Sequence, residues 1–332
     1  MFDHRPMALT PSTGDRAIGL FFCFAPLAWH SSAVTSEVTR RLTPPERYQF
    51  GPSVRPLLVP KHDPCGTIVD GAFWLAMRTP AGPATLRLDR QLLSTGFGPG
   101  AEWAVEHADA IAGLRDDVSD FPELARRHPV VTRLAKTFSG VRIPATLRVF
   151  PRLLRAILEQ KVTGKEAHRS YRAICRHFGE PAPGPVELVL PPDPAAIAAS
   201  AYWVFHPLGV EQRRTEALLR AARVADRLER CADAAEATTR MTALPGIGPW
   251  TAAEVVRTVF GDPDAVSVGD FHIPNTVAFA LAGEPRGTDE RMLELLEPFR
   301  GHRGRVCDLL AMGGLMAPKY GPRMPVRSFA RF

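Results

Sequence analysis

The sequence predicts an α+β protein that is mainly helical, with a smaller N-terminal part containing antiparallel strands. Three observations carry this. Between Val54 and Gln91, strand-like runs alternate with turn chemistry, as in I-V-D-G-A-F-W-L-A-M-R-T-P-A-G-P-A-T-L-R-L. From Glu102 onward, apolar residues recur at the spacing of a helical face almost to the end of the chain. The composition, 45% hydrophobic and 23% charged over 332 residues, is that of a globular chain long enough for two or three domains.

The elements follow in order. Residues 1–48 read as an N-terminal extension, expected to be disordered. The apolar run AIGLFFCFAPLAW within it lacks the basic leader of a secretory signal. Residues 49–140 read as the N-terminal α+β domain, with turn clusters at T-P-A-G-P and G-F-G-P-G and helical text from WAVEHADAIAGL onward. Ser119 and Asp120 before Phe121-Pro122-Glu123 form a helix start. Residues 141–318 read as a helical domain. Its strongest block, RVFPRLLRAILEQKVTGKEAHRSYRAICRHFG, predicts two helices meeting near Thr163-Gly164, the second ending at Gly179. A proline-rich connection over 179–194 leads to the remaining helices. Residues 319–332 form a basic tail.

The net charge is +6. From Pro298 to the end there are seven basic residues (Arg300, Arg303, Arg305, Lys319, Arg323, Arg327 and Arg331) and one acid, Asp308, so the excess of the chain equals that of its end. Such a balance favours an anionic partner. No apolar run reaches membrane-spanning length. The five cysteines (Cys23, Cys65, Cys175, Cys231 and Cys307) are scattered and form no C-x-x-C pair, which argues against a disulfide framework, a zinc site or a cysteine-ligated iron–sulfur cluster. A reducing, cytoplasmic setting is expected.

The stretch A-L-P-G-I-G-P-W-T-A-A-E-V at 243–255 carries the chemistry. Gly246 and Gly248 allow the positive φ that a sharp hairpin between helices needs, and Ile247 can anchor it inward. The helix that starts near Trp250 adds unbonded N–H groups and a positive dipole end. Together these make a pocket of donors suited to one phosphate.

Leu244-Pro-Gly-Ile-Gly-Pro-Trp-Thr-Ala252 resembles the hairpin of the helix-hairpin-helix DNA glycosylases, and in particular the bacterial 3-methyladenine DNA glycosylase II group. Val266-Ser-Val-Gly-Asp270-Phe-His-Ile-Pro274 stands where that family places a Gly/Pro-rich loop and its catalytic aspartate. Leu153 to Thr163 resembles the family's helix ending in a glutamine, with Gln160 at the lesion-facing position. Leu208 to Ala217 resembles its Gly-containing turn before a basic helix. The likeness covers about residues 50–320 and is strongest over 145–315.

The resemblance implies a mainly helical helix-hairpin-helix glycosylase domain that flips a damaged base from double-stranded DNA and hydrolyses its N-glycosidic bond. Asp270 would stabilise the cationic sugar and steer water. By local sequence Asp270 also fits a helix N-cap, and the two roles are compatible because a capped carboxylate is held rigidly. In the bifunctional branch of the superfamily a lysine stands where Trp250 is, so the resemblance implies a monofunctional enzyme acting on alkylated purines. The base-pocket candidates are Gln160, Trp250, Phe271 and Trp203, with Phe205 behind them; the aromatic ones also fit core packing.

The candidates for the DNA backbone are Gly246, Ile247, Gly248, Thr251, Lys161, Arg303 and Arg305, with Lys165 as a further cation at the helix junction. A solvated face is the plain alternative for the charged ones. Arg300-Gly-His-Arg-Gly-Arg305 replaces an aromatic of the family, which changes the expected shape and polarity of the pocket, and His302 reads as an exposed loop residue. No metal site or required cofactor is expected; the resemblance implies at most a monovalent cation on the hairpin carbonyls. A monomer is expected. The rival from another class is a non-catalytic DNA-binding protein that keeps the hairpin, in which Asp270 only caps a helix. A glycosylase for another base lesion is the third reading.

Overall fold

The computed structural model describes residues 37–318. Cys23 and the basic residues from 319 onward lie outside them. The N-terminal part is a five-stranded antiparallel sheet of β1 (Val38–Arg41), β2 (Gly66–Val69), β3 (Ala72–Thr79), β4 (Gly82–Leu88) and β5 (Leu93–Phe97), in the order β1-β5-β4-β3-β2. The first of these corrects the sequence reading: β1 lies inside the segment taken as extension and pairs with β5, Val38 opposite Gly96. Its four residues are too few and too charged to read as a strand in isolation.

The run I-V-D-G-A-F-W-L also divides. Asp70 and Gly71 both take positive φ, at 51° and 76°, and turn β2 back onto β3. Asp-Gly is the residue pair that tight hairpins favour, because their twist suits the strands on either side. The T-P-A-G stretch makes the next hairpin, with Thr79 opposite Gly82.

β3 is apolar without alternation because both sheet faces are covered. Phe73 and Met77 pack with Leu86, Leu88 and the helical segment around Ala104, Val105 and Ile111. Trp74 and Ala76 on the opposite face pack with Phe97, Ala182, Leu188 and Leu190. The proline-rich connection is therefore a lid on the sheet. Residues on both sides of position 140 share this packing. Conversely, Phe121, Val131 and Leu134 pack with Val277, Leu296, Phe299 and Val306.

The main helical core joins Val149–Glu159, Gly164–Phe178, Gln212–Arg223, Ala234–Thr242 and Pro249–Val259. The break between the first two falls at 160–163, where sequence places it. Thr163 and Glu166 form a reciprocal capping box, which satisfies two otherwise orphaned N–H groups. No helix among the described residues is long and apolar enough to cross a membrane. The four described cysteines are free thiols, and no metal-holding cluster occurs among the described residues.

Candidate active site

The hairpin joins Ala234–Thr242 to Pro249–Val259. Gly246 sits at φ 93°, and a Cβ there would meet the Cβ of Ala217 at 3.0 Å, so both the turn and the close approach require glycine. Ile247 is buried in the helical core. Pro249 occupies the first helical turn, where its missing N–H costs nothing. Two long side chains fasten the loop from outside. Gln160 Nε2 donates to the Gly246 carbonyl at 3.0 Å and to Thr251 Oγ1 at 2.8 Å. Arg220 Nη1 donates to the Pro245 carbonyl at 3.2 Å.

Asp270 stands in the loop before the helix Ile273–Ala282. Its Oδ1 accepts the N–H groups of His272 at 2.7 Å and Ile273 at 2.9 Å. Its Oδ2 accepts Trp250 Nε1–H at 3.0 Å. The capping role and the link to the hairpin helix thus coexist on one carboxylate. Three donors leave room for about one more at a group with roughly four acceptor positions. All three are neutral, so they fix the carboxylate without cancelling its charge.

Trp250, Glu254 and Arg257 follow one another on one stripe of the hairpin helix, spaced as a helical face requires. One turn beyond Trp250 the stripe becomes charged. Glu254 Oε1 accepts Arg257 Nη2 at 2.6 Å and Ser267 Oγ at 2.6 Å, and its Oε2 accepts Arg152 Nη2 at 2.7 Å. Arg257 Nη1 reaches Asp308 Oδ1 at 3.2 Å. Burial alone would raise the Glu254 carboxyl, but Arg257 and Arg152, helped by Ser267, push it down to about 2. Burial raises the Asp308 carboxyl despite the opposing pull of Arg257.

These side chains line a cavity of about 830 Å³, whose walls include Arg152, Glu254, Arg257, Thr258, Asp308 and Met312. Its aromatic rings are Phe121 and Phe138. Neither Trp250 nor Asp270 lines it; they sit one turn nearer the start of the hairpin helix.

Several sequence-predicted residues fall elsewhere. Phe271 is 83% exposed and Trp203 65% exposed, so neither walls an enclosed pocket in this structure. Phe205 is buried in the helical core. The Thr251 side chain is 2% exposed and its hydroxyl holds Gln160, so it can meet a phosphate only through its main-chain N–H. Arg303 grips Asp264, with Nε to Oδ1 at 2.9 Å and Nη2 to Oδ2 at 2.5 Å. Arg305 is 5% exposed and donates to Asp116 Oδ1 at 2.5 Å and to His302 Nδ1 at 2.9 Å. His302, read as an exposed loop residue, is 4% exposed and bonded to Asp120 Oδ1 at 2.8 Å. The charges of this segment turn inward because Asp116, Asp120 and Asp264, distant in sequence, come to meet them. Lys161 is exposed and takes φ 54° at the helix junction; Lys165 is exposed as well.

Sequence reasoning missed Ser267 and the array of Arg152, Glu254, Arg257 and Asp308. The available signal was a pair of charges on the Trp250 stripe of an otherwise apolar helix.

Comparison with known proteins places this geometry. A solved 3-methyladenine DNA-glycosylase from Archaeoglobus fulgidus superposes with a TM-score of 0.70 at 17% identity, over 82% of this chain and 97% of that one. The chain therefore shares the fold of that glycosylase. Among curated proteins it is similar to a probable bifunctional transcriptional activator/DNA repair enzyme AlkA of Mycobacterium tuberculosis, 26% identical over 225 residues, which are 62% of this chain and 43% of that protein. It is also similar to DNA-3-methyladenine glycosylase 2 of Escherichia coli, 31% identical over 126 residues, which are 36% of this chain and 44% of that protein. The chain therefore spans less than half the length of these relatives. No protein-family model matches it.

Proposed function

We propose that the protein is a monofunctional DNA glycosylase that extrudes a damaged purine from double-stranded DNA and hydrolyses its N-glycosidic bond. The observation that carries this is the Asp270 carboxylate, held by neutral N–H donors against the hairpin helix. As the bond to the sugar breaks, the base leaves with the electron pair and positive charge builds on the sugar. A fixed carboxylate stabilises that charge where it develops. Water then forms the new bond to the sugar carbon, and its proton is released. Trp250 supplies no amine, which supports hydrolysis by water over attack by the protein.

The hairpin supplies the DNA contact in this reading. Main-chain N–H groups at Gly246, Gly248, Trp250 and Thr251, with the helix dipole, favour one backbone phosphate. Lys161 and Lys165 would add charge along the backbone. The extruded base would enter the cavity beyond Trp250, against the rings of Phe121 and Phe138. Alkylated purines of the 3-methyladenine type, named in the relatives, are the substrate class of this proposal. A monovalent cation on the hairpin carbonyls belongs to the proposal too. Gly246 and Pro245 already accept Gln160 and Arg220, so the other hairpin carbonyls would hold it, adding positive charge beside the phosphate. A monomer acting in the cytoplasm completes the proposal.

The test is base release from methylated duplex DNA by the native protein and by Asp270→Asn. Release by the native protein, reduced at least about 100-fold in the variant with DNA binding retained, supports both the reaction and the residue. Binding without release from any damaged duplex would instead favour a DNA-binding protein whose Asp270 serves only as a cap.

A further inference from the structure

Glu254 is a carboxylate beside the candidate site that takes three side-chain hydrogen bonds. It lies on the hairpin helix one turn after Trp250 and reaches the Asp270 loop directly, because its Oε1 accepts Ser267 Oγ–H at 2.6 Å. The Ser267 carbonyl in turn accepts the Asp270 N–H at 3.2 Å. The loop is thus tied to the hairpin helix at two points, through Trp250 to the carboxylate and through Glu254 to the backbone behind it. Glu254 is itself clamped from two helices, by Arg152 at 2.7 Å and Arg257 at 2.6 Å. Arg257 carries the link on to Asp308 in the helix Arg303–Met312.

We propose that Glu254 is a positioning residue for Asp270, setting the loop at the height where the Asp270 carboxylate meets Trp250 and the reacting sugar. The proposal rests on the glycosylase reading for its effect on rate, but its structural content stands apart from it. A role in stability alone would need only the ion pairs with Arg152 and Arg257. The Ser267 bond is the part that points to the loop.

The groups around the two carboxylates distinguish the two variants of the test. Glu254 faces Arg152, Arg257 and Ser267; Arg152 also faces Glu159, which Arg155 shares, and Arg257 also faces Asp308. Asp270 faces Trp250 and the His272 and Ile273 N–H groups, while Asp289 holds the neighbouring Gly269 N–H. Removing the charge of Glu254 leaves Arg152 and Arg257 less compensated. Removing the Ser267 hydroxyl changes geometry but no charge.

The experiment records the Trp250 indole N–H resonance, assigned by its loss in Trp250→Phe, in the native protein, Glu254→Gln and Ser267→Ala. Single-turnover base release from methylated DNA is measured on the same proteins. The expected result is a resonance displaced in both variants. The maximal release rate falls about 10- to 100-fold in both, with the DNA concentration for half-saturation unchanged, as a misplaced group should give. Partial rescue by Glu254→Asp is expected. A Trp250 resonance identical in all three proteins would overturn the proposal whatever the rates. A displaced resonance with no release even by the native protein would keep the positioning role and sink the glycosylase reading instead.

Discussion

Two carboxylates flank the hairpin helix, Asp270 bonded to Trp250 from the neighbouring loop and Glu254 one turn beyond Trp250, and they are held in opposite ways. Asp270 takes three hydrogen bonds from neutral N–H groups. Glu254 takes two from guanidinium groups and one from a hydroxyl. Neutral donors fix geometry and leave the negative charge to act on whatever approaches. Guanidinium partners offset the charge and turn the group into a structural joint. A catalytic role suits the first environment and a positioning role the second.

The contrast can be broken most severely by deleting the joint. Glu254→Ala leaves Arg152 and Arg257 buried without their shared partner, and a loss of about 3–5 kcal/mol in urea-unfolding stability is expected. Asp270→Asn, by comparison, should cost about 1 kcal/mol, the scale of a weakened cap. If the two losses came out equal, the distinction between the sites would fail.

Acid sharpens the same point. Glu254 is depressed from its ordinary 4.5 to about 2. A depressed carboxyl stabilises the fold fully above its unfolded value, and that contribution is lost as pH falls through the folded one. Up to about 3 kcal/mol should therefore disappear between roughly pH 4.5 and 2, and Glu254→Gln should flatten this part of the stability profile.

At the other carboxylate, Trp250→Phe keeps a ring and removes the N–H donor to Asp270. A hydrogen bond to a charged group is worth about 1.5–3 kcal/mol, so base release should slow about 10- to 100-fold while unfolding stability changes less than in Glu254→Ala. Wild-type rates in Trp250→Phe would show that the indole does not steer the carboxylate. The smallest effect is expected at the periphery. Lys161→Ala should weaken DNA binding modestly and reduce the slope of log affinity against log salt by about 1. Arg305→Ala, in contrast, should leave that slope unchanged, because Arg305 already faces Asp116 and His302 inside the protein.

Local chemistry made much of this legible. L-P-G-I-G-P-W encodes its own hairpin through the positive φ of Gly246, an inward isoleucine and a helix-starting proline, whereas Gly248, expected to share that conformation, is extended at φ −107°. Gln160, singled out from sequence for the base pocket, instead gives its amide to that hairpin. The Thr163–Glu166 capping box and the Gly179 helix end lie where their residues indicate. Asp270 reads as a cap and behaves as one. The same local reading failed at Phe271 and Trp203, where aromaticity suggests a pocket wall but says nothing about exposure. It failed more clearly at Arg303, Arg305 and His302, whose outward or inward direction depends on acids 39 to 189 positions away.

The sequence by itself determined the hairpin, the helix boundaries around it and the aspartate downstream, because each depends on residues within a few positions of one another. Tertiary structure alone decided which charges face solvent, that β1 joins the sheet, that the proline-rich connection covers it, and that Arg152, Glu254, Ser267 and Asp308 form one array. Those outcomes depend on segments far apart in the chain meeting in space. A charged side chain has no preferred direction until its partner, or its absence, is known.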